Sequence, residues 1–428
     1  MSKGIIELND ASMALGLDGQ LLENSTGYAV LDQKNLMIGS DAIQHVKLLP
    51  RWTNNRFWHQ LNTDGLSNAT NSIRHHADLA FAHLEQLKSA LPCDDLIIAV
   101  PGHYDKGQLG LLLGMCKEAG LPVRALVDHS LLAVANQPSH ETAMYLDIGL
   151  HQVTLSTLKA DGVLRQTGHT ALVETGLATY WDRWASVIAE QFIQSSRFDP
   201  MHEAASEQHL FNALPDFLSQ IGDNRALNFE LNLGDITHTT TLSKDQLLAT
   251  TSSAYPAIVQ GIRAQAQAGQ AFTLFVSPRL HHFPDLMTSL QLIPEADIVN
   301  VTSDHLIKNS QELWSSLVTG QESVSHVTTL NISATQLKST QTQNNASHIL
   351  VGNHAYALRN VREISGFSSG LEQSPGVATI IRNGADFTLS VTSPELMVNG
   401  VIAPSDYTLK VGDTLEVSGH SARVIAER

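Results

Sequence analysis

A strand–helix–strand unit near residue 100 constrains this chain most. Asp95-Leu-Ile-Ile-Ala-Val-Pro101 is a short continuous apolar run ended by proline. Residues 106–119 then carry a helical pattern stopped by Gly120, and 123–127 read as another strand. A short all-apolar strand is buried on both faces, and a helical crossover joins such strands in parallel. Upstream, residues 4–8, 15–22 and 27–38 read as a β-meander, with turns at Asp18-Gly19 and 24–26. Downstream, 144–155 starts a second hairpin that returns near 163–166. Helices are expected over 68–90, 178–194, 203–220 and 244–267, a hairpin over 228–242 and a strand over 272–276. Hairpins attached to parallel strands imply an α/β fold with mixed sheets. Hairpin-rich stretches near residues 5 and 145 suggest an internal duplication.

The Ser/Thr/Gln/Asn-rich stretch 333–346 reads as a linker. Beyond it come short strands over 348–360, 377–382, 388–391, 395–401, 414–417 and 422–426. Asn383-Gly384, Asn399-Gly400 and Gly412-Asp413 stand between them as turn signals. The expected organisation is an α/β domain over 1–332, the linker, and a small all-β domain over 347–428.

Composition narrows the partners. Lys and Arg number 26 against 42 Asp and Glu, a net charge of −16. Such a surface disfavours nucleic acid and anionic membranes, which leaves a protein partner as the expectation. No apolar run approaches the ~20 residues of a membrane helix, and the N-terminus lacks a signal-peptide core. Two cysteines, Cys93 and Cys116, are too few for a disulfide framework, so a reduced, cytoplasmic protein is expected. The pairs His75-His76 and His281-His282 lack carboxylates at ligand spacing, and no metal site is expected.

Several motifs in order resemble the ATPase half of DnaK-type heat-shock chaperones, over about residues 4–315. Val100-Pro-Gly-His-Tyr104, Gln108, Ala119-Gly-Leu121, Val123, Leu126-Val127 and Ala133 follow that family's spacing without a gap. Asp147-Ile-Gly149 stands where the family has Asp-Leu-Gly-Gly-Gly-Thr. Ile38-Gly-Ser-Asp-Ala42, Gly168-His-Thr170 and the segment 176–184 match further pieces. The resemblance implies a two-lobed, actin-like fold of duplicated ribonuclease H-like halves. It also implies an ATP or ADP site with Mg²⁺, in which Glu7 and Asp147 would be the catalytic carboxylates.

That chemistry needs glycines at two hairpin turns, so that backbone N–H groups reach phosphates. It also needs carboxylates around Mg²⁺ and the attacking water. At the first turn, Asn9 replaces the glycine and Asp10 places a negative charge near the phosphates. At the second, Gly149 survives, but Leu150 and His151 replace two glycines, Gln152 a threonine and Thr154 an aspartate. His129-Ser130 replaces Glu-Pro, beside Asp128. Ser277-Pro278-Arg279 replaces the nucleoside-binding Gly-Gly-Ser, and Asn309-Ser310 a Gly-Ala pair. Without a working cleft, Glu7 and Asp147 reduce to turn caps or partners of a nearby base, and His129 to a helix-start residue. Trp52, Trp58, Trp181 and Trp184 read as core packing.

The last domain resembles the later half of a forkhead-associated domain through Val398-Asn-Gly400, Leu409, Gly412-Asp413 and Val417, although Val351-Gly-Asn353 lacks that family's arginine. Three readings follow: a degenerate DnaK-like scaffold or adaptor with absent or altered nucleotide binding; a divergent ATPase driven by lobe closure; and a phosphothreonine-reading adaptor.

Overall fold

The computed structural model describes residues 1–426 except 34, 174–175, 222–223, 225, 252–253, 268, 319–323, 332–345, 369, 374–375 and 384–385. The chain divides into two units, Met1–Lys338 and Ser339–Arg428. The expected linker, 333–346, lies outside the described residues apart from Ala346, as does Gly384 of one expected turn.

Two six-stranded sheets organise the first unit. In one, Lys3–Glu7, Met13–Leu17 and Gln20–Ser25 form an antiparallel meander. Its first strand continues in parallel into Asp95–Val100 and then Val123–Asp128. In the other, Thr142–Ile148, Val153–Ala160 and Val163–Val173 form the meander. There the first strand continues in parallel into Phe272–Val276 and then Ala296–Asn300. The two sheets therefore share one strand order. Two short late strands tie them together: Ser325–Val327 pairs with Val123–Asp128, and Thr329–Asn331 with Val163–Val173.

The inner parallel strands Asp95–Val100 and Phe272–Val276 are apolar because both faces are covered. Leu96 to Val100 are essentially fully buried, as are Phe272 to Val276. The helix Lys106–Glu118 starts at a reciprocal cap, in which Asp105 Oδ1 accepts the Gln108 N–H at 2.8 Å and Gln108 Oε1 accepts the Asp105 N–H at 3.1 Å. Trp58 and Trp184 are fully buried in separate cores.

Several elements differ from expectation. Residues 27–38, expected as the third meander strand, form the hairpin Ala29–Asp32/Asn35–Ile38 in a separate three-stranded sheet, and Gln20–Ser25 takes the third place. The helix expected over 244–267 is two, Lys244–Thr251 and Ala254–Gln265. The helix expected over 68–90 begins only at His76. The Asp78 carboxylate accepts the Arg74 and His75 N–H groups at 2.7 and 3.0 Å, a cap that outcompetes another helical turn. The single strand expected over 348–360 is instead the hairpin His348–Val351/His354–Ala357, followed by the 3-10 turn Leu358–Asn360. Gly352, at φ +59°, supplies the left-handed turn that reverses it.

The second unit has a six-stranded and a four-stranded antiparallel sheet. Ile349, Val417 and Val424 of one share a core with Ile380 and Leu389 of the other. The unit is a two-sheet β-sandwich. No helix among the described residues is long and apolar enough to cross a membrane.

Candidate functional site

The turns after Lys3–Glu7 and Thr142–Ile148 face each other in the first unit, joined by the side chains of Asn9 and Asp10. Asn9 Nδ2 donates to Asp147 Oδ2 at 2.8 Å and to the Ile148 carbonyl at 3.1 Å. Asp10 Oδ1 accepts the Leu150 N–H at 2.7 Å. A Cβ on Gly149 would lie 2.6 Å from that same Asp10 oxygen, so the glycine makes room for the aspartate.

Arg279 closes the arrangement. Val276 pairs with Leu146, and the Ser277 N–H continues the ladder to the Leu146 carbonyl at 2.9 Å. That register brings the 3-10 turn Pro278–Leu280 alongside Asp147. Arg279 Nη2 lies 3.0 Å from Glu7 Oε2 and donates to the Ser12 carbonyl at 2.6 Å. Nη1 lies 3.4 Å from Asp147 Oδ1 and from Ser277 Oγ. The side chains of Arg279, Glu7 and Asp147 are 9%, 5% and 2% exposed, so the pairing is buried.

The electrostatics follow from this burial. Burial works against the Arg279 charge, but Glu7 and Asp147 outweigh it and hold the group cationic. Burial also opposes ionisation of Asp147. Arg279, His129 and the Ser277 hydroxyl overcome it, so its carboxyl lies below the usual range. Asp10 goes the other way: burial raises it, against the Leu150 N–H. Glu7 Oε1, Arg279 Nε and His129 Nδ1 are buried without hydrogen-bond partners.

The structure thus brings together Glu7, Asn9, Asp10, Asp147, Gly149, Ser277 and Arg279. His129 opens the helix His129–Val134, with Nδ1 4.0 Å from Asp147 Oδ2. Pro278 instead lines a neighbouring cleft of about 430 Å³, with Arg279, Ser12 and Trp181. Asn309 Nδ2 holds the Leu132 and Ala135 carbonyls, each at 2.7 Å, in a structural role. Among the described residues, Glu7, His129 and Asp147 are the group whose donor atoms converge within 4.8 Å as a metal site requires. Arg279 already supplies the positive charge there.

On the other side of the turns is a cavity of only about 40 Å³. Five histidines from separate elements line it, His59, His103, His129, His151 and His169, and their convergence was not foreseen from sequence. Ring centroids are 5.2 Å apart for His59 and His151, 6.3 Å for His59 and His103, and 5.3 Å for His103 and His169. Burial, reinforced by the neighbouring rings, pushes His103 down to about 3 and His169 to about 4. Their spacing along the chain carries no local signal.

Gly176 packs against the second turn. A Cβ there would fall 2.2 Å from the His151 nitrogen and 2.3 Å from the Leu150 carbonyl, both backbone. Gly176→Ala is expected to cost about 1–3 kcal/mol by overpacking, read as a lower urea midpoint. An unchanged midpoint would mean that the turn moves freely.

In the second unit, Asn399 and Asp413 are consumed by turn geometry. Asn399 Nδ2 donates to Asp413 Oδ1 at 2.8 Å, and Asn399 Oδ1 accepts the Thr414 N–H at 2.9 Å. Asp413 Oδ2 accepts the Lys410 N–H at 2.7 Å. Asn399 and Gly400 have φ of +54° and +78°, as an Asn-Gly hairpin turn requires.

No protein-family model matches this chain, and no curated protein matches it.

Proposed function

We propose that the first unit is a degenerate DnaK-like, actin-like ATPase fold kept as a protein-binding scaffold, with its phosphate site filled by its own side chains. The observation that carries this reading is the Arg279 guanidinium between Glu7 and Asp147. In the resemblance those carboxylates serve Mg²⁺, and here a fixed internal cation takes that role. Asp10 supports the same reading, because its carboxylate accepts a turn N–H that would otherwise face a phosphate oxygen. A space of about 40 Å³ has room for a few waters, whereas ligand pockets span roughly 300–1,000 Å³. The β-sandwich, of forkhead-associated type in this reading, is the adaptor end. The partner is a protein.

One observation favours the divergent-ATPase reading. The cleft beside Arg279 encloses about 430 Å³ and has Trp181 on its wall, a size and surface suited to a nucleoside. Calorimetric titration of the full chain with ATP and ADP, with Mg²⁺, separates the two. The scaffold reading expects no saturable heat at millimolar nucleotide. Micromolar binding would overturn it, and loss of that binding in Arg279→Met would place the nucleotide in the cleft.

A further inference from the structure

We propose that the groove between the strand Ala226–Leu233 and the helix Ala204–Ile221 docks an extended, basic segment of a partner protein, which adds to the strand as a third member of its sheet. This rests on the scaffold reading and names the chemistry of its partner.

The strand presents an open edge. Among the described residues, Ala226–Leu233 pairs with Ile236–Ser243 alone. Leu233 pairs with Ile236 across the two-residue turn Gly234-Asp235, and Gly234 has φ +60°, as a tight hairpin turn requires. In such a hairpin the closing pair exchanges both ladder hydrogen bonds, and every second pair does so from there. Leu233, Leu231 and Phe229 therefore bond to the neighbouring strand. Asn232, Glu230 and Asn228 turn their N–H and C=O groups to the open side. The Asn232 carbonyl shows this direction, because it accepts from His209 Nδ1 of the helix at 3.2 Å. The backbone groups of Glu230 and Asn228 make no hydrogen bond to a described residue outside the hairpin. An added strand supplies those bonds.

A groove of about 370 Å³ lies at that edge. Residues 228–230 line one wall. Ala213, Asp216, Phe217 and Gln220 line the other and recur at helical spacing, so they share one helix face. Phe217 and Phe229 are buried and meet edge to face with ring centroids 4.9 Å apart, which gives the groove an apolar floor. An added strand puts every second side chain on the sheet face that Phe229 occupies.

Charge selects the occupant. Asp216 and Glu230 are exposed on opposite walls, and no Lys, Arg or His among the described residues lines the groove. Glu230 stands at the open edge itself. A second copy of this chain, with net charge −16, would meet like charge there. A strand with Lys or Arg at alternate positions meets Asp216 and Glu230 with opposite charge.

The test is fluorescence anisotropy of the full chain with the labelled peptide Lys-Val-Lys-Val-Lys-Val-Lys and its glutamate counterpart, Glu-Val-Glu-Val-Glu-Val-Glu. Salt at about 0.15 M screens the general acidity of the surface. The lysine peptide is expected to saturate below millimolar, and the glutamate peptide to bind at least about tenfold more weakly. Asp216→Lys/Glu230→Lys is expected to reverse that order. Glu230→Pro removes an outward N–H and no ladder bond to Ile236–Ser243, so it should weaken the lysine peptide about tenfold. Amide exchange in the wild type needs no variant to fold: bound peptide should protect the Asn228 and Glu230 amides, which exchange freely without it. No saturation by the lysine peptide at millimolar concentration overturns the proposal. Binding that leaves those two amides exchanging freely does so too. A dimer that Glu230→Pro abolishes would assign the edge to a second copy and overturns it equally. None of these results touches the scaffold reading, which falls only on micromolar nucleotide binding.

Discussion

Arg279→Met is expected to destabilise the first unit by roughly 3–5 kcal/mol, the cost of removing one partner from a buried ion pair. The wild-type guanidinium touches Glu7 Oε2, the Ser12 carbonyl and the Asp147 carboxylate in a site almost closed to solvent. Methionine fills much of the volume but leaves two buried carboxylates facing each other, with Asp10 nearby. Thermal unfolding should fall by roughly 5–10 °C for that free energy in a unit of this size. Arg279→Lys should recover only part of the loss, because a point charge cannot fork between two carboxylates. The triple variant Glu7→Gln/Asp147→Asn/Arg279→Met should recover most of it, since the uncompensated charge is gone. If the single and triple variants melt alike, the loss is one of packing and the electrostatic account is wrong. The sign with pH is also set. Asp147 is depressed in the fold, so its contribution is complete above its unfolded value of 3.8. It is lost as pH falls through the lower folded value.

Acid should find a second weak point at His83, which burial alone lowers to about 3. The ring is fully buried against Phe57 and Trp58. Trp58 Nε1 donates to its Nδ1 at 3.0 Å, so Nδ1 carries the lone pair and Nε2–H faces Ser25 Oγ at 2.9 Å. A proton on Nδ1 would point at the indole N–H and find no acceptor. Unfolded His83 binds a proton below about 6.5, while folded His83 does so only near 3, so the unfolded state gains protons over that window. His83's own contribution is full above about 6.5 and falls by about 1.4 kcal/mol per pH unit below it, roughly 3 kcal/mol by pH 4, with His103 and His169 adding to the same window. Urea midpoints from pH 7 to 4 should fall at least this steeply. His83→Gln, which keeps an acceptor for Trp58 and a donor for Ser25, should flatten it by about one proton. Parallel profiles for the two proteins would rule His83 out as the titrating group.

Local order was legible wherever periodicity and caps agreed. The strands Asp95–Val100 and Phe272–Val276 read directly, since apolar runs of five or six residues bounded by turn residues have few other uses. The helix Lys106–Glu118 read from its apolar spacing and closing glycine. The helix start at His76 did not, because apolar spacing continues upstream to Ile73 while the Asp78 cap decides the boundary. Asn399-Gly400 was visible as a turn, but only the contacts of Asn399 with Asp413 and Thr414 show that its side chain is spent on that turn.

At the candidate site, the sequence by itself determined that two carboxylates stand at strand ends, followed by turns that carry side chains at most positions. Glu7, Asp147, Asn9 and Asp10 carry that information within a few residues of each strand end. Only the tertiary structure decided what those carboxylates meet. Arg279 lies 272 residues from Glu7 (279 − 7) and reaches it because Phe272–Val276 pairs with Thr142–Ile148 in one register. The histidines around the small cavity meet for the same reason, each delivered by a different element. Strand and helix formation follow from neighbours in sequence, while pairing between elements follows from burial of the whole core, which no short stretch of residues encodes.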